Sequence, residues 1–135
     1  MPSFIDMRVA NAEFFVELFL DHPYIDIQKE VGDSSWFGFA LILKENSPIN
    51  RRELVSVLAA HEIECRPIVT GNFLKNVEVL EYFDYEVSGL IEDSEYIDKN
   101  GLFVGNQQVD IIENIRYLFE VINDAFHQKL GLLDR

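Results

Sequence analysis

The octet Trp36-Phe37-Gly38-Phe39-Ala40-Leu41-Ile42-Leu43 is apolar on both of its alternating faces. A half-exposed strand would alternate apolar with polar residues. This one therefore reads as a strand buried on both sides, or as one whose second face meets another domain. Gly38, set among aromatic residues, predicts a close approach of some other group to the strand backbone.

Further strand signals lie on either side of this octet. Ile63 to Val69 reads as a second strand, with Cys65 and Arg66 pointing to opposite faces. Pro67 cannot donate to a ladder, which puts this strand at a sheet edge or at its end. Leu102-Phe103-Val104, between Gly101 and Gly105, is a short third strand, and a weaker one runs through Tyr24 to Gln28.

Three amphipathic segments supply a cover for the sheet. Ser3 precedes Ile5, Val9, Ala12, Val16 and Phe19, with Asp6 three residues past the cap and Pro23 closing the segment. Asn50 precedes Leu54, Val57, Leu58 and His61, with Glu53 in the capping-box position and Ile49 and Leu54 placed as a hydrophobic staple. Asp110 precedes Ile111, Ile115, Leu118 and Ile122, with Glu113 in the box position and a second row at Ile112, Phe119 and Phe126. Each pattern has the 3.6-residue period of a helix with one face to bury. Glu92, Asp93, Glu95 and Asp98 mark a short helix whose first turn favours carboxylates. The tail from Lys129 to Arg135 is expected to fray. The order of elements gives an α/β (α+β) two-layer sandwich with a small mixed or antiparallel sheet and helices packed on it, a single domain over residues 1–135.

Composition narrows the function. With 48% hydrophobic residues, among them 11 Phe and 5 Tyr, the 135-residue chain can fill one core. Cys65 is the only cysteine, so no internal disulfide can form. No apolar run reaches the ~18 residues of a membrane span. Glu13 and Glu17 interrupt the Phe-rich N-terminal segment, which argues against a signal peptide and for a cytoplasmic location. A formal net charge of -13 repels nucleic acid and anionic membranes alike. An anionic ligand would need local cations, for which Arg51, Arg52, Arg66 and Lys75 are the candidates.

The usual catalytic constellations are absent from the sequence. His22, His61 and His127 are scattered and none has a metal-ligand spacing with Cys65. Ser34-Ser35 lacks a nucleophile elbow, Cys65 sits in an apolar strand, and no glycine-rich phosphate loop is present. One segment is richer. Arg66-Pro67 leads into Gly71-Asn72-Phe73 and Lys75 directly after a strand, and Gly-Asn is a turn that tolerates positive φ. An arginine, an amide, an aromatic ring and a lysine at a strand end make a candidate grip for an anion or a sugar.

These residues also carry a resemblance. Ser35-Trp36-Phe37-Gly38-Phe39, Arg66-Pro67-Ile68 with Gly71-Asn72-Phe73, and Gly101-Leu102-Phe103-Val104-Gly105-Asn106 resemble the C-terminal part of the DegT/DnrJ/EryC1/StrS family. Within it they resemble most the branch of nucleotide-sugar 3-dehydrases that act on 4-keto-6-deoxyhexoses, together with sugar aminotransferases. Pro2, Phe4-Ile5, Arg8 and Asn11 look like the first helix after that family's large domain. The resemblance implies an aspartate-aminotransferase-like small domain from an enzyme of deoxysugar or lipopolysaccharide biosynthesis. Its partner would be a large domain, in the same or a separate chain, that binds pyridoxal or pyridoxamine phosphate.

The resemblance further implies a homodimeric parent and a nucleotide-sugar substrate. The lysine that forms the Schiff base in the aminotransferases, or the histidine that replaces it in the dehydrases, would lie upstream, and none of Lys29, Lys44, Lys75, Lys99 or Lys129 matches that motif, so no cofactor is expected to bind covalently here. Arg66, Gly71 and Asn72 match the family stretch and are, with Lys75, the candidate substrate-side residues. Trp36 and Phe37 match as packing or interface residues. Asn76-Val77 and Gln107-Gln108 stand where relatives often carry Gln-Pro and His-Pro, which leaves dehydrase and aminotransferase both open. The alternative is a free-standing, non-catalytic α/β binding module. The two differ in whether the second face of the Trp36–Leu43 strand is open or covered by the chain's own helices.

Overall fold

A computed structural model describes residues 2–68 and 71–132, and its sheet is built around the predicted central strand. The elements are α1 (Pro2–Phe19), β1 (Ile25–Ile27), β2 (Gly38–Leu43), α2 (Arg51–Ala60), β3 (Arg66–Pro67), α3 (Val77–Leu80), α4 (Glu92–Asn100), β4 (Gly101–Gly105) and α5 (Ile112–Leu130), with a 3₁₀ turn at Phe73–Lys75. The strand order is β1-β2-β4-β3 and every pairing is antiparallel. This is the expected two-layer sandwich.

One face of the sheet carries the core. Phe39, Leu41 and Leu43 of β2 alternate inward with Ile25, Leu102 and Val104 of the neighbouring strands, and all are buried. Ala12, Phe15 and Phe19 of α1, Leu54 and Leu58 of α2, and the buried stripe of α5 close over them. Phe15 stacks on Phe39 with centroids 4.2 Å apart, joining helix layer to sheet. Fully burying one such side chain stabilises by ~1.5–3 kcal/mol, so this layer dominates the stability.

The second face is half covered. Gly38, Ala40 and Ile42 of β2 share it with Gly101, Phe103 and Gly105 of β4 and with Arg66 of β3. α4 packs over the Ile42–Gly101 end, where a Cβ on Gly101 would meet the Ile97 carbonyl oxygen. The Gly38–Phe103 end is not covered in this way, and Phe37 there is 70% exposed. Gly38 is the close approach foreseen in the sequence: a Cβ there would run into the Phe103 ring and lie 2.6 Å from the Val104 carbonyl oxygen.

Several local expectations need correction. The octet is not one continuous strand, because Trp36 adopts φ +48° and breaks the alternation before β2 begins at Gly38. That left-handed turn sends the Trp36 indole into the core beside Phe39 and leaves Phe37 on the open face against Phe103. Ser3 is not a cap, since α1 already begins at Pro2, whose fixed φ suits a first turn. α2 forms the predicted capping box between Asn50 and Glu53, over a buried Ile49 and Leu54.

At α5 the box does not form. The Asp110 side chain accepts the Ile112 N–H, Glu113 faces Arg116 at 3.8 Å, and the Ile111 N–H goes to Asn11. The second strand shortens to Arg66–Pro67 at the sheet edge, as Pro67 requires; its predicted end at Val69 lies outside the described residues. Lys129 and Leu130 belong to α5, which Gly131 ends at φ +69°; the rest of the predicted fraying segment, from residue 133, lies outside the description.

Candidate functional site

The open half of the second face forms a shallow cleft of about 370 Å³. Its floor is the aromatic pair Phe37 and Phe103, with centroids 5.9 Å apart and planes 25° from parallel. α1 brings Arg8 to one side, its guanidinium carbon 5.9 Å from the Phe37 ring centroid. The strand edge brings Arg66 and Glu64 to the other, and Gly105 to Gln107 close the end.

The two guanidinium groups have different surroundings. Arg66 donates from Nε and Nη2 to the same Glu64 oxygen at 3.2 and 2.8 Å, on a side chain 74% exposed. An exposed pair of this kind is worth about 0–1 kcal/mol, so an incoming anion can compete with Glu64 for Arg66. The Nε of Arg8 is buried and has no hydrogen-bond partner among the described residues.

Asn106 stands behind the cleft wall. Its Nδ2 donates to the carbonyls of Arg8 and Trp36, both at 2.9 Å, while its Oδ1 accepts from Asn11 Nδ2 at 3.1 Å. Asn11 is wholly buried and also donates to the Gln107 and Val109 carbonyls. Nothing in the sequence alone singles out either asparagine, or places Arg8, Phe103 or Gln107 at a site. For Glu64, also outside the expected site, a signal exists: it lies two residues from Arg66 and so shares its face.

Of the predicted substrate-side residues, the cleft takes in only Arg66. Gly71, Asn72 and Lys75 gather instead around Asp98 of α4. Asn72 is buried and its Oδ1 accepts the Leu74 N–H at 3.0 Å, which starts the 3₁₀ turn. Lys75 pairs with Asp98 at 2.5 Å, and Gly71, at φ +53°, has no room for a Cβ beside that carboxylate. The Lys75 ammonium, then the Asn72 backbone N–H, hold the Asp98 carboxyl below the usual carboxylate range. Trp36 is buried in the core and Phe37 lines the cleft.

Lys44 faces Asp26 at 3.4 Å, Lys75 faces Asp98 and Lys129 faces Glu53 at 2.8 Å, while Lys29 and Lys99 have no ion-pair partner among the described residues. None of these lysines lines the cleft, so none stands there for a covalent bond to a pyridoxal-type cofactor. Its phosphate is commonly seated on the backbone N–H groups of a helix N-terminus, whereas the α1 residue here, Arg8, belongs to the body of its helix. Among the described residues no group of three or more His, Cys, Asp and Glu side chains could hold a metal ion. No helix among the described residues is long and apolar enough to cross a membrane.

No family model matches the chain. It is similar to the GDP-4-keto-6-deoxy-D-mannose 3-dehydratases of Yersinia pseudotuberculosis, at 66% identity, and of Escherichia coli O55:H7, at 56%. Both matches run over 122 residues, 90% of this chain and 31% of the relative. A solved structure of the E. coli GDP-4-keto-6-deoxy-D-mannose-3-dehydratase with bound hydrated PLP superposes with a TM-score of 0.85 at 57% identity, over 89% of this chain and 31% of that one. The chain thus spans about a third of the length of the relatives it matches.

Proposed function

Because the chain belongs, over the segment it spans, to the DegT/DnrJ/EryC1/StrS family of nucleotide-sugar enzymes, we propose that it serves as the C-terminal small domain of a 3-dehydratase acting on a GDP-linked 4-keto-6-deoxyhexose. The observation that carries this is the cleft: two guanidinium groups, Arg8 and Arg66, flank an aromatic floor on a sheet face left half open. Arginines suit phosphate or sugar oxygens and aromatic rings suit a planar base, so the cleft is the substrate-side wall. Gly71, Asn72 and Lys75 contribute by bracing the strand-end loop on Asp98. Pyridoxal or pyridoxamine phosphate would be held by the other two-thirds of the enzyme and supply the electron sink there.

The surface supports a chain that is completed by more protein. Val77, Tyr82, Phe83, Tyr85, Val87 and Leu90 are all more than half exposed along one segment that carries Glu78, Glu81, Asp84 and Glu86. Such a concentration of exposed aromatic and aliphatic side chains marks an interaction surface. We assign it to the cofactor-binding part of the enzyme, in a homodimeric assembly.

A chimera tests the reading. The matching segment of the Yersinia dehydratase is replaced by this chain, and turnover of GDP-4-keto-6-deoxy-D-mannose is measured with cofactor present. A functionally equivalent domain keeps the rate within about tenfold, equivalent to ~1.4 kcal/mol of barrier. A soluble, cofactor-loaded chimera without turnover would sink the proposal and favour a non-catalytic module of the same fold.

A further inference from the structure

We propose that Asn106 is a positioning residue for the cleft, and that its amide, propped by Asn11, sets where Arg8 and Phe37 stand; the inference rests on the substrate-side reading of that cleft. A primary amide has two N–H donors and one carbonyl oxygen. Asn106, 5% exposed, gives its donors to the Arg8 and Trp36 carbonyls and its oxygen to Asn11. Its backbone N–H then donates to the Phe37 carbonyl at 3.2 Å. A single buried side chain thereby ties α1, the turn before β2 and the end of β4 into one wall.

The bond to Trp36 falls where the backbone is strained. A left-handed φ of +48° is unfavourable for a bulky side chain and persists only when its surroundings fix it. Ser34 Oγ accepts the Trp36 N–H at 3.0 Å and Asn106 takes the Trp36 carbonyl, so both sides of the kinked residue are held. This kink puts the indole in the core and Phe37 on the open face. Without the Asn106 donors the turn can relax toward a regular strand, in which Trp36 and Phe37 would trade faces. The floor of the cleft would go with them.

The test compares Asn106→Ala and Asn106→Ser in the 135-residue chain and in the chimeric dehydratase. Trp36 is the chain's only tryptophan, so its emission reports on the turn directly. The expected result is a folded Asn106→Ala chain with red-shifted emission. In the chimera, KM for GDP-4-keto-6-deoxy-D-mannose rises about tenfold while kcat changes less than about threefold, the pattern of lost uniform binding. Asn106→Ser, which keeps one donor, falls between. A red shift with unchanged KM overturns the positioning role, and leaves the cleft reading standing if Arg66→Ala still raises KM. If neither Asn106→Ala nor Arg66→Ala changes KM, or if the chimera is inactive, the cleft reading falls and this inference with it. Should Asn106→Ala fail to fold, unchanged emission and KM in Asn106→Ser overturn the proposal.

Discussion

Asn11 binds the start of a helix that lies 100 residues further along the chain: its Oδ1 accepts the Ile111 N–H at 3.3 Å. The two N–H groups of the same side chain are shared among three acceptors, the Gln107 and Val109 carbonyls and the Asn106 Oδ1. Asn11 is 0% exposed, so an Asn11→Ala substitution admits no easy solvent replacement and strands several polar groups at once. Unsatisfied buried groups cost about 1–3 kcal/mol each, and partial relaxation brings the expected total to roughly 2–4 kcal/mol. Urea unfolding followed by circular dichroism measures it; a loss below about 0.5 kcal/mol, the ordinary range of surface substitutions, would show the network to be dispensable.

Gly38 and Phe103 form a second long-range pair, and its removal has a directional signature. A methyl on Gly38 collides with both the Phe103 ring and the Val104 carbonyl oxygen. The ring can turn away, but the carbonyl belongs to a paired strand and cannot. Gly38→Ala is therefore expected to destabilise by about 1–3 kcal/mol, the range for overpacking. The double variant Gly38→Ala/Phe103→Leu should lose less than the sum of the two singles, because one collision is relieved. Strict additivity in a double-mutant cycle would place the ring elsewhere.

The folded state also carries a pH dependence at His22. Its Nδ1 accepts the Tyr24 N–H at 3.2 Å, which puts the proton of the neutral ring on Nε2, facing Asn123 Oδ1 at 3.3 Å. Burial among Phe19, Phe119 and Phe126 depresses its pKa below the ordinary 6.5, and the nearby Lys44 ammonium adds to the effect. The unfolded chain thus takes up this proton first. The His22 contribution is fully present above about pH 6.5 and is lost as pH falls below it, with a slope of at most ~1.4 kcal/mol per pH unit. Asp98 and Glu53, also depressed, lose their contributions only in the acid range below their ordinary 3.8 and 4.5. Melting temperatures between pH 7 and 5 should fall in the natural chain and stay flatter in His22→Gln. Parallel curves would remove His22 as the cause.

The features legible in the sequence are those decided within a few residues. Asn50 and Glu53 sit three apart, so their capping box could be read from spacing, and Pro67 announced an edge by lacking an N–H. Gly38 announced a close approach, but not what approached, because Phe103 arrives from another strand. The Trp36 kink left no local mark. It depends on an amide 70 residues away, and apolar residues on both faces read as unbroken strand. The candidate site divides the same way. Arg66 was found from its place at a strand end, while Arg8 and Phe103 meet it only through the tertiary fold. Gly71, Asn72 and Lys75 look like part of one grip because they are close in sequence, yet they gather at Asp98 of α4 and do not line the cleft.

The lysines provide the last test, because Schiff-base chemistry needs an amine that is both free and selectively reactive. Lys75 is occupied by Asp98, Lys129 by Glu53, and Lys44 by Asp26 together with the His22 carbonyl at 2.8 Å. Lys29 and Lys99 have no ion-pair partner among the described residues, but none of the five lysines lines the cleft, so neither pairing nor the cleft singles out one amine for pyridoxal phosphate. The 135-residue chain mixed with pyridoxal phosphate and reduced with borohydride is expected to show sparse labelling spread over several lysines by peptide mass mapping. One lysine labelled stoichiometrically, together with a saturable absorbance change, would mean that this segment can hold the cofactor alone. The division of labour between a substrate-side wall and a separate cofactor-binding part would then fail, even if Arg66 still contacts the sugar nucleotide.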